Sequence, residues 1–305
     1  VKKMNNENIN KTNINWYPGH MAKTRKQIMQ DLKLVDIVIE LLDARIPISS
    51  QNPDIAQITA GKKKMLILNK CDLADERQNK LWVEYFNKKG IVAVLTDSNS
   101  GKGIDESIRQ IEKIMEDNIK IQNEKGRIGR KIRAMILGIP NVGKSSYINR
   151  ISKRTTAGVG NKPGVTKQKQ WIRLTNNIEL LDTPGVLWPK LGSNEVSLNL
   201  AYTGTIKSEI IDETEIAYNL TKFLLENYKE HVIRRYKLNP NEVERMLKNE
   251  ELEENERVVE VMNYIGKVRG AIQRGNTVDL DKTSKIILND FRSGDIGRIT
   301  LEIAK

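Results

Sequence analysis

Residues 138–145 read Gly138-Ile139-Pro140-Asn141-Val142-Gly143-Lys144-Ser145, a complete G-x-x-x-x-G-K-[ST] pattern. The apolar run Ile132 to Leu137 precedes it and is typical of a short strand. A helical pattern opens directly after it, from Ser145 to Arg150. A strand, a glycine-rich turn and a helix together place backbone N–H groups around a polyphosphate at a helix N-terminus. The stretch therefore predicts the phosphate loop of a nucleotide-binding α/β domain.

Each polar residue of this loop has an expected role. The ammonium group of Lys144 should reach the β- and γ-phosphate oxygens, and the hydroxyl of Ser145 should bind Mg²⁺. The residues expected to touch the nucleotide here are Asn141, Val142, Gly143, Lys144, Ser145 and Ser146.

A second motif, Asn69-Lys70-Cys71-Asp72, has the N-K-x-D pattern of a guanine reader. It follows the apolar run 64–68, and ligands of doubly wound sheets bind beyond the carboxyl ends of strands. The Asp72 carboxylate would accept hydrogen bonds from N1 and N2 of guanine, whereas adenine would leave it unpaired. Asn69 would brace the site, and the stem of Lys70 would lie along the base. Ser98, in the loop after a further apolar run, is the candidate for a backbone contact to guanine O6.

The order of the two motifs is unusual, because the guanine reader precedes the phosphate loop. Ordinary GTPases have the opposite order, so the sequence predicts a circularly permuted GTPase domain. Two further motifs fit the same domain: Thr166 and Asp182 should complete the Mg²⁺ site with Ser145, and the Gly185 N–H should face the γ-phosphate.

These motifs, in this order, resemble the circularly permuted ribosome-assembly GTPases. The resemblance also includes Trp16 to Lys23, Asp43-Ala44-Arg45-Ile46-Pro47 and the segment from Ile286 to Gly294, and it covers about residues 14–303. It implies an α/β fold, a permuted P-loop GTPase domain followed by a smaller all-α domain. It also implies GTP as substrate, and binding to the maturing large ribosomal subunit with GTP state coupled to a late maturation step.

Composition sets the expected domain organisation. The chain of 305 residues has room for two domains. We expect a frayed polar tail over 1–13, the permuted GTPase domain over 14–190 and a helical RNA- or ribosome-contacting domain over 191–305. No apolar run is long enough for a membrane helix, and the single cysteine, Cys71, fits a reducing compartment. These features predict a cytoplasmic protein without a membrane partner, monomeric when free.

Charge is unevenly distributed along the chain. Residues 1–205 carry 34 basic and 20 acidic side chains, a net of +14, and residues 206–305 carry 17 and 19, a net of −2. The stretch from Lys125 to Ile178 contains thirteen Lys or Arg residues and no Asp or Glu. A solvated face usually mixes signs, so this stretch predicts a polyanion-binding surface, with RNA rather than DNA as the polyanion. A signalling-type GTPase that recruits proteins, or a tRNA-modification GTPase, are the competing interpretations.

Hydrolysis requires a group that orients water, and the residues after Asp182-Thr183-Pro184-Gly185 are apolar: Val186, Leu187 and Trp188. The resemblance implies that His20 supplies the missing catalytic group alongside Lys144. A histidine packed in a hinge is the alternative. Asn141 occupies the position where potassium-dependent GTPases have an asparagine ligand, so K⁺ is an expected cofactor beside Mg²⁺. We expect stimulation by both K⁺ and the ribosomal subunit.

Overall fold

The computed structural model describes residues 18–156, 171–175, 177–181, 193–206 and 212–304, with the backbone alone for 18–24 and 153–156. Two compact units divide the chain. The first contains residues up to Asn194 together with Thr300–Lys305, and the second contains Glu195–Ile299.

A six-stranded sheet forms the centre of the first unit. Its strands, in chain order, are β1 (Ile37–Asp43), β2 (Lys63–Asn69), β3 (Val92–Leu95), β4 (Ile132–Leu137), β5 (Trp171–Arg173) and β6 (Ile178–Leu181). Their spatial order is β3-β2-β1-β4-β6-β5, and every neighbouring pair is parallel except β5 with β6. A parallel sheet needs helical crossovers, so the arrangement is that of a doubly wound α/β domain.

Helices connect and cover these strands. In the described part of the first unit they are α1 (Pro18–Asp31), a 3₁₀ turn (Leu32–Leu34), α2 (Pro53–Ile58), α3 (Glu76–Lys88), α4 (Ile104–Glu124), α5 (Lys144–Thr156) and the first residue of α6 (Asn194–Tyr202). Local chemistry fixes several starts. The side chains of Asn52 and Asp75 cap α2 and α3 by accepting backbone N–H bonds from their first turns.

Burial explains why most residues of the central strands are apolar. All seven residues of β1 are buried, as are the last five residues of β2. Strands covered by helices on both faces need continuous apolar runs rather than alternation. Parallel pairing then brings the carboxyl ends of β1 to β4 to one edge of the sheet, where Asp43 lies opposite Asn69 and Leu68 lies opposite Leu95. We call this edge the carboxyl end of the sheet.

The second unit is helical. Its helices are α6 from Glu195 onward, α7 (Glu213–Asn227), α8 (Lys229–Tyr236), α9 (Pro240–Leu247), α10 (Glu254–Val268) and α11 (Leu280–Ser293). A two-residue antiparallel ladder, β7 (Ile272–Gln273) with β8 (Thr277–Val278), interrupts them, with Gly275 and Asn276 in the turn between its strands. The second unit is therefore helical with one short hairpin, rather than strictly all-α.

The predicted fold class is confirmed, since the chain contains a mostly parallel α/β sheet followed by a helical region. The strand over 132–137 lies where the sequence predicts it. The structure divides the chain at Asn194 rather than at 190, and it places residues 300–304 with the first unit rather than the second. Within the described residues, no helix is both long and apolar enough to cross a bilayer.

Candidate nucleotide-binding site

The phosphate loop lies between β4 and α5, at the carboxyl end of the sheet. Two of its glycines are required by protein contacts as well as by any ligand. A Cβ on Gly138 would lie 2.8 Å from the Leu41 carbonyl oxygen. Gly143 has φ +91°, and its Cβ would lie 2.3 Å from Nδ2 of Asn69. Larger residues would therefore push the loop away from its neighbouring strands.

Asn69 connects three parts of the site. Its Nδ2 donates to the Val142 carbonyl oxygen of the phosphate loop at 2.8 Å. Its Oδ1 accepts from the hydroxyl groups of Thr96 at 3.1 Å and Ser98 at 2.7 Å. Because Asn69 is almost fully buried, these bonds fix the guanine reader, the phosphate loop and the Ser98 loop relative to one another. This is the bracing position that the sequence predicts for Asn69.

Lys70 makes a second connection between the two motifs. It has φ +58°, and its Nζ lies 2.5 Å from the Asn141 carbonyl oxygen and 3.0 Å from Oδ2 of Asp43. The ammonium group is thus held between the phosphate loop and the end of β1. Asp72 follows two residues later, half-buried in the turn after β2.

Asp43 is the buried electrostatic centre of this arrangement. Arg45 donates to it through its backbone N–H at 3.1 Å, through Nε at 3.0 Å and through NH2 at 2.9 Å. Both side chains are 2% exposed. Burial alone would raise the pKa of Asp43, but the charges and hydrogen bonds of Arg45 and Lys70 outweigh it and hold the pKa well below its usual value. Asp43 is therefore ionised, and it is the counter-charge of both Arg45 and Lys70.

The loop from Asp97 to Gly103 lies beside the guanine reader. The Asp97 carboxylate accepts the backbone N–H groups of Asn99 at 2.8 Å and Ser100 at 3.2 Å. Gly103 has φ +77°, and a Cβ there would lie 1.9 Å from a carbonyl oxygen of β3. The Ser98 N–H, predicted to face guanine O6, donates at 3.2 Å to Asn69 in this structure. Ser98 thus joins the bracing network around Asn69, and its contact to guanine O6 stays a prediction.

Helix α5 orients the remaining phosphate-loop residues. Its buried Tyr147 hydroxyl lies 2.7 Å from the Ser107 hydroxyl of α4, and burial raises the pKa of Tyr147. Arg150 donates to the Ser100 carbonyl oxygen, which ties α5 to the Ser98 loop. The helix therefore presents half-buried Lys144 and exposed Ser145 at its first turn, with Ser146 exposed beside them. A helix N-terminus with a lysine in its first turn is an arrangement that binds anions in many proteins.

Several predicted site residues lie outside the description. Thr166, Asp182 and Gly185 fall in residues that the structure does not describe, and so do Val186, Leu187 and Trp188. His20 lies in the first turn of α1, where only the backbone is described. Among the described residues there is no group of three or more His, Cys, Asp or Glu side chains that could hold a metal ion.

The fold places two acidic side chains against the basic stretch from Lys125 to Ile178. Arg130 pairs with Asp36 at 2.8 Å, and Lys131 pairs with Glu179. The stretch itself contains no acid: Asp36 lies directly before β1 and Glu179 lies in β6, and β1 and β6 are the two neighbours of β4 in the sheet. Lys125 and Arg127 remain exposed in the loop before β4.

Comparison with known proteins places the chain in a family. Residues 133–264 match the model described as "50S ribosome-binding GTPase". Ribosome biogenesis GTPase A of Bacillus cereus is 42% identical over 289 residues, which cover 95% of this chain and 93% of the relative. The chain belongs to the ribosome biogenesis GTPase A family. The matched segment begins in β4, so β1 to β3 and the guanine reader of this GTPase precede it.

Two further relatives agree with this membership. Mitochondrial ribosome-associated GTPase 1 of Mus musculus is 35% identical over 308 residues, covering 94% of this chain and 89% of that protein. The crystal structure of GNP-bound YlqF from T. maritima is 25% identical, covers 93% of this chain and 99% of its own, and has a TM-score of 0.60. The family and its structure support GTP as the nucleotide that this chain binds and hydrolyses.

Sequence reasoning missed one functional feature of this ribosome biogenesis GTPase A member. The segment Asp43-Ala44-Arg45 contributes to the resemblance, but its motif alone assigns it no contact. The structure gives Asp43 a direct bond to the guanine-reader lysine. A usable signal exists in the sequence: an acidic residue directly after a buried apolar run marks the carboxyl end of a strand.

Proposed function

We propose that this chain is an assembly factor that hydrolyses GTP to GDP and phosphate, binds the maturing large ribosomal subunit and couples its GTP state to a late maturation step. The observation that carries the nucleotide part is the joining of the two motifs by Asn69 and Lys70, which places a guanine reader beside a phosphate loop. Family membership supports the ribosomal part. We also propose that the reaction takes place in the cytoplasm.

In this proposal, one set of residues binds the guanine base and another binds the phosphates. Asp72 selects guanine through N1 and N2, while Asn69, Lys70 and Ser98 hold the base-binding loops in place. Lys144 and the N–H groups at the start of α5 bind the β- and γ-phosphates. The exposed hydroxyl of Ser145 fits one position of a Mg²⁺ shell, which Thr166 and Asp182 would complete.

Two ions and one histidine complete the proposed chemistry. Mg²⁺, when bound, offsets charge on the phosphate oxygens, and K⁺ beside the exposed Asn141 would add positive charge to the same region. Asn141 is exposed and has φ +64°, in the left-handed region. His20 would orient water, because the residues after Gly185 are apolar. Ribosomal stimulation would then act by bringing His20 into place.

An RNA-binding surface is proposed at the end of the sheet opposite the nucleotide. The exposed loop with Lys125 and Arg127 leads into the amino end of β4, and Arg173 lies opposite Glu179 at the amino end of β6. Helix α5 has thirteen residues, about 20 Å, which matches the length of β4. As a crossover helix it runs back along the sheet, so its backbone carries Lys153 and Arg154 toward the same end.

Charge at this surface suits a phosphate backbone. Affinity for RNA comes largely from Lys and Arg contacts to phosphates, and it falls with added salt. The two acids Asp36 and Glu179 reduce the field locally but leave Lys125 and Arg127 exposed. The free protein is proposed to be a monomer that docks through this surface, with no DNA partner.

Cosedimentation with purified large ribosomal subunits tests the proposal. Binding should be stronger with a non-hydrolysable GTP analogue than with GDP, and it should decrease as salt increases. Reversing charge at Lys153 and Arg154 should weaken binding and leave nucleotide affinity intact. The matched control reverses Lys80 and Lys88, two exposed lysines of α3, and should have little effect. Absence of cosedimentation would favour a protein-recruiting GTPase, and salt-independent docking would favour the helical unit as the RNA contact.

A further inference from the structure

Residues Thr300–Ala304, which we call the return segment, lie in the first unit although the preceding hundred or so residues form the second. Thr300 is fully buried and Leu301 is 6% exposed. Burial of this kind means that the segment is packed as part of the GTPase unit rather than resting on its surface.

One side of the return segment holds the loop after β1. The Leu301 N–H donates to the Arg45 carbonyl oxygen at 2.9 Å. The Glu302 carboxylate accepts the backbone N–H groups of Ile48 at 2.6 Å and Ser49 at 2.8 Å, and the Ser49 hydroxyl as well. A single carboxylate thus binds three donors of one loop, and bonds to a charged acceptor are the stronger kind.

The other side holds the start of α3. The Thr300 hydroxyl oxygen accepts the Asp75 N–H at 3.0 Å, and the Ala304 N–H donates to Oε1 of Gln78 at 2.9 Å. The Glu302 carbonyl oxygen accepts from Nε1 of Trp82 at 2.8 Å. Glu302 therefore contacts the loop after β1 with its side chain and α3 with its backbone.

Both held elements carry the guanine side of the nucleotide site. Strand β1 ends at Asp43, which binds Arg45 of the following loop and the ammonium group of Lys70. Helix α3 begins directly after the guanine reader, since its cap Asp75 follows Asp72 by three residues. A carboxylate that fixes one loop on an anchored segment thereby limits the movement of Lys70 relative to Asp72.

We propose that Glu302 is a positioning residue for guanine-nucleotide binding, and that the return segment fastens the loop after β1 to the start of α3. The inference rests on the proposed guanine site at Lys70 and Asp72. The contacts of the return segment given above all lie on the guanine side, not on Lys144 or Ser145. Loss of Glu302 should therefore weaken GDP and GTP alike and leave the hydrolysis rate at saturating GTP unchanged.

Dissociation of a fluorescent GDP from the full-length protein tests this role. Glu302→Gln keeps the size of the side chain but replaces one acceptor oxygen by a donor that faces a backbone N–H. We expect GDP to dissociate about tenfold faster, the factor that corresponds to losing roughly one hydrogen bond to a charged acceptor. KM for GTP should rise by a similar factor at constant kcat. Glu302→Asp, which keeps the carboxylate, should restore part of the affinity.

Two reference variants separate the possible outcomes. Asp36→Asn is the control, because the Asp36 carboxylate also accepts hydrogen bonds from a backbone N–H and from an arginine side chain of the same unit. Asp36 lies at the amino end of β1, away from the guanine side, so GDP dissociation should not change. Asp72→Asn should weaken GDP strongly if the guanine site is correct. Unchanged dissociation in E302Q together with a strong Asp72→Asn effect would overturn the role of Glu302 alone. Unchanged dissociation in Asp72→Asn would overturn the guanine site itself.

If E302Q does not fold, Ser49→Ala provides a second test, because it removes one of the three donors to the Glu302 carboxylate. GDP dissociation should then accelerate by a smaller factor, and no acceleration would refute the role of Glu302.

Discussion

Replacing Asp43 by asparagine should destabilise the protein far more than loss of an ordinary ion pair. Asp43 and Arg45 are each 2% exposed in their side chains, and their closest atoms are 2.9 Å apart. Asn at position 43 would keep one acceptor oxygen but leave the guanidinium of Arg45 without its buried counter-charge. It would also remove one of the two contacts of Lys70, whose side chain is 22% exposed.

The size of the effect follows from these exposures. Removing one partner of a buried pair costs about 3–5 kcal/mol, because a charge remains buried without compensation. The retained oxygen places Asp43→Asn near the lower end, and the partly exposed Lys70 contact adds less than about 1 kcal/mol. We therefore expect the free energy of unfolding to fall by about 3–4 kcal/mol. Glu179→Gln, in the more exposed pair with Lys131, is the matched control and should cost less than about 1 kcal/mol.

Urea unfolding monitored by circular dichroism gives both numbers. The pH dependence gives an independent check, since the folded pKa of Asp43 lies below its ordinary value of 3.8. Its stabilising contribution is present above that value and is lost as the pH falls through the interval below it. The wild-type protein should therefore lose more stability than D43N on acidification in that interval. A loss in D43N no larger than in the Glu179 control at neutral pH would refute the buried-pair argument.

Three further predictions concern the nucleotide reaction. Asp72→Asn should weaken GTP binding and shift preference toward xanthine nucleotides in a competition assay, whereas tight ATP binding by the wild type would contradict guanine selection. His20→Ala should keep GTP affinity and lose about 10²–10³ in ribosome-stimulated turnover; unchanged turnover would make His20 structural. Hydrolysis should be slower in Na⁺ than in K⁺, and Asn141→Ala should abolish that difference; equal wild-type rates in both salts would remove K⁺ from the mechanism.

The sequence predicts those elements whose apolar run lies directly beside a recognisable motif. Strand β4 has the predicted bounds, because it is a short apolar run directly before the glycine-rich phosphate loop. Asn69 lies where its motif requires. Strand β1 was not predicted, and it contains Glu40 among six further buried residues. Glu40 is accommodated because Lys64 of β2 pairs with it at 2.5 Å, a contact that depends on strand pairing and not on local pattern.

Long-range contacts account for the rest of what the sequence could not predict. Residues 300–304 follow a helical region and contain no motif of their own, so the sequence predicts that they belong to the helical domain. Their place in the first unit depends on donors that lie more than 200 positions away, at Ile48, Asp75 and Trp82. In the same way, Asp36 and Glu179 neutralise part of a basic stretch that appears uniform in the sequence.

The position of β1 explains how a permuted chain can keep an intact nucleotide site. In the sheet order β3-β2-β1-β4-β6-β5, β1 lies between β2, which ends in the guanine reader, and β4, which ends in the phosphate loop. No short chain connection joins the two motifs there, since α3, β3 and α4 separate them in sequence. Their relative position depends on β1 pairing with both β2 and β4 and on the bonds from Asn69 and Lys70 to the phosphate loop. Asp43 ends β1 at this junction, so a single buried anion orients the lysine that spans the two halves. These non-covalent contacts therefore hold the two motifs together whichever of them comes first along the chain.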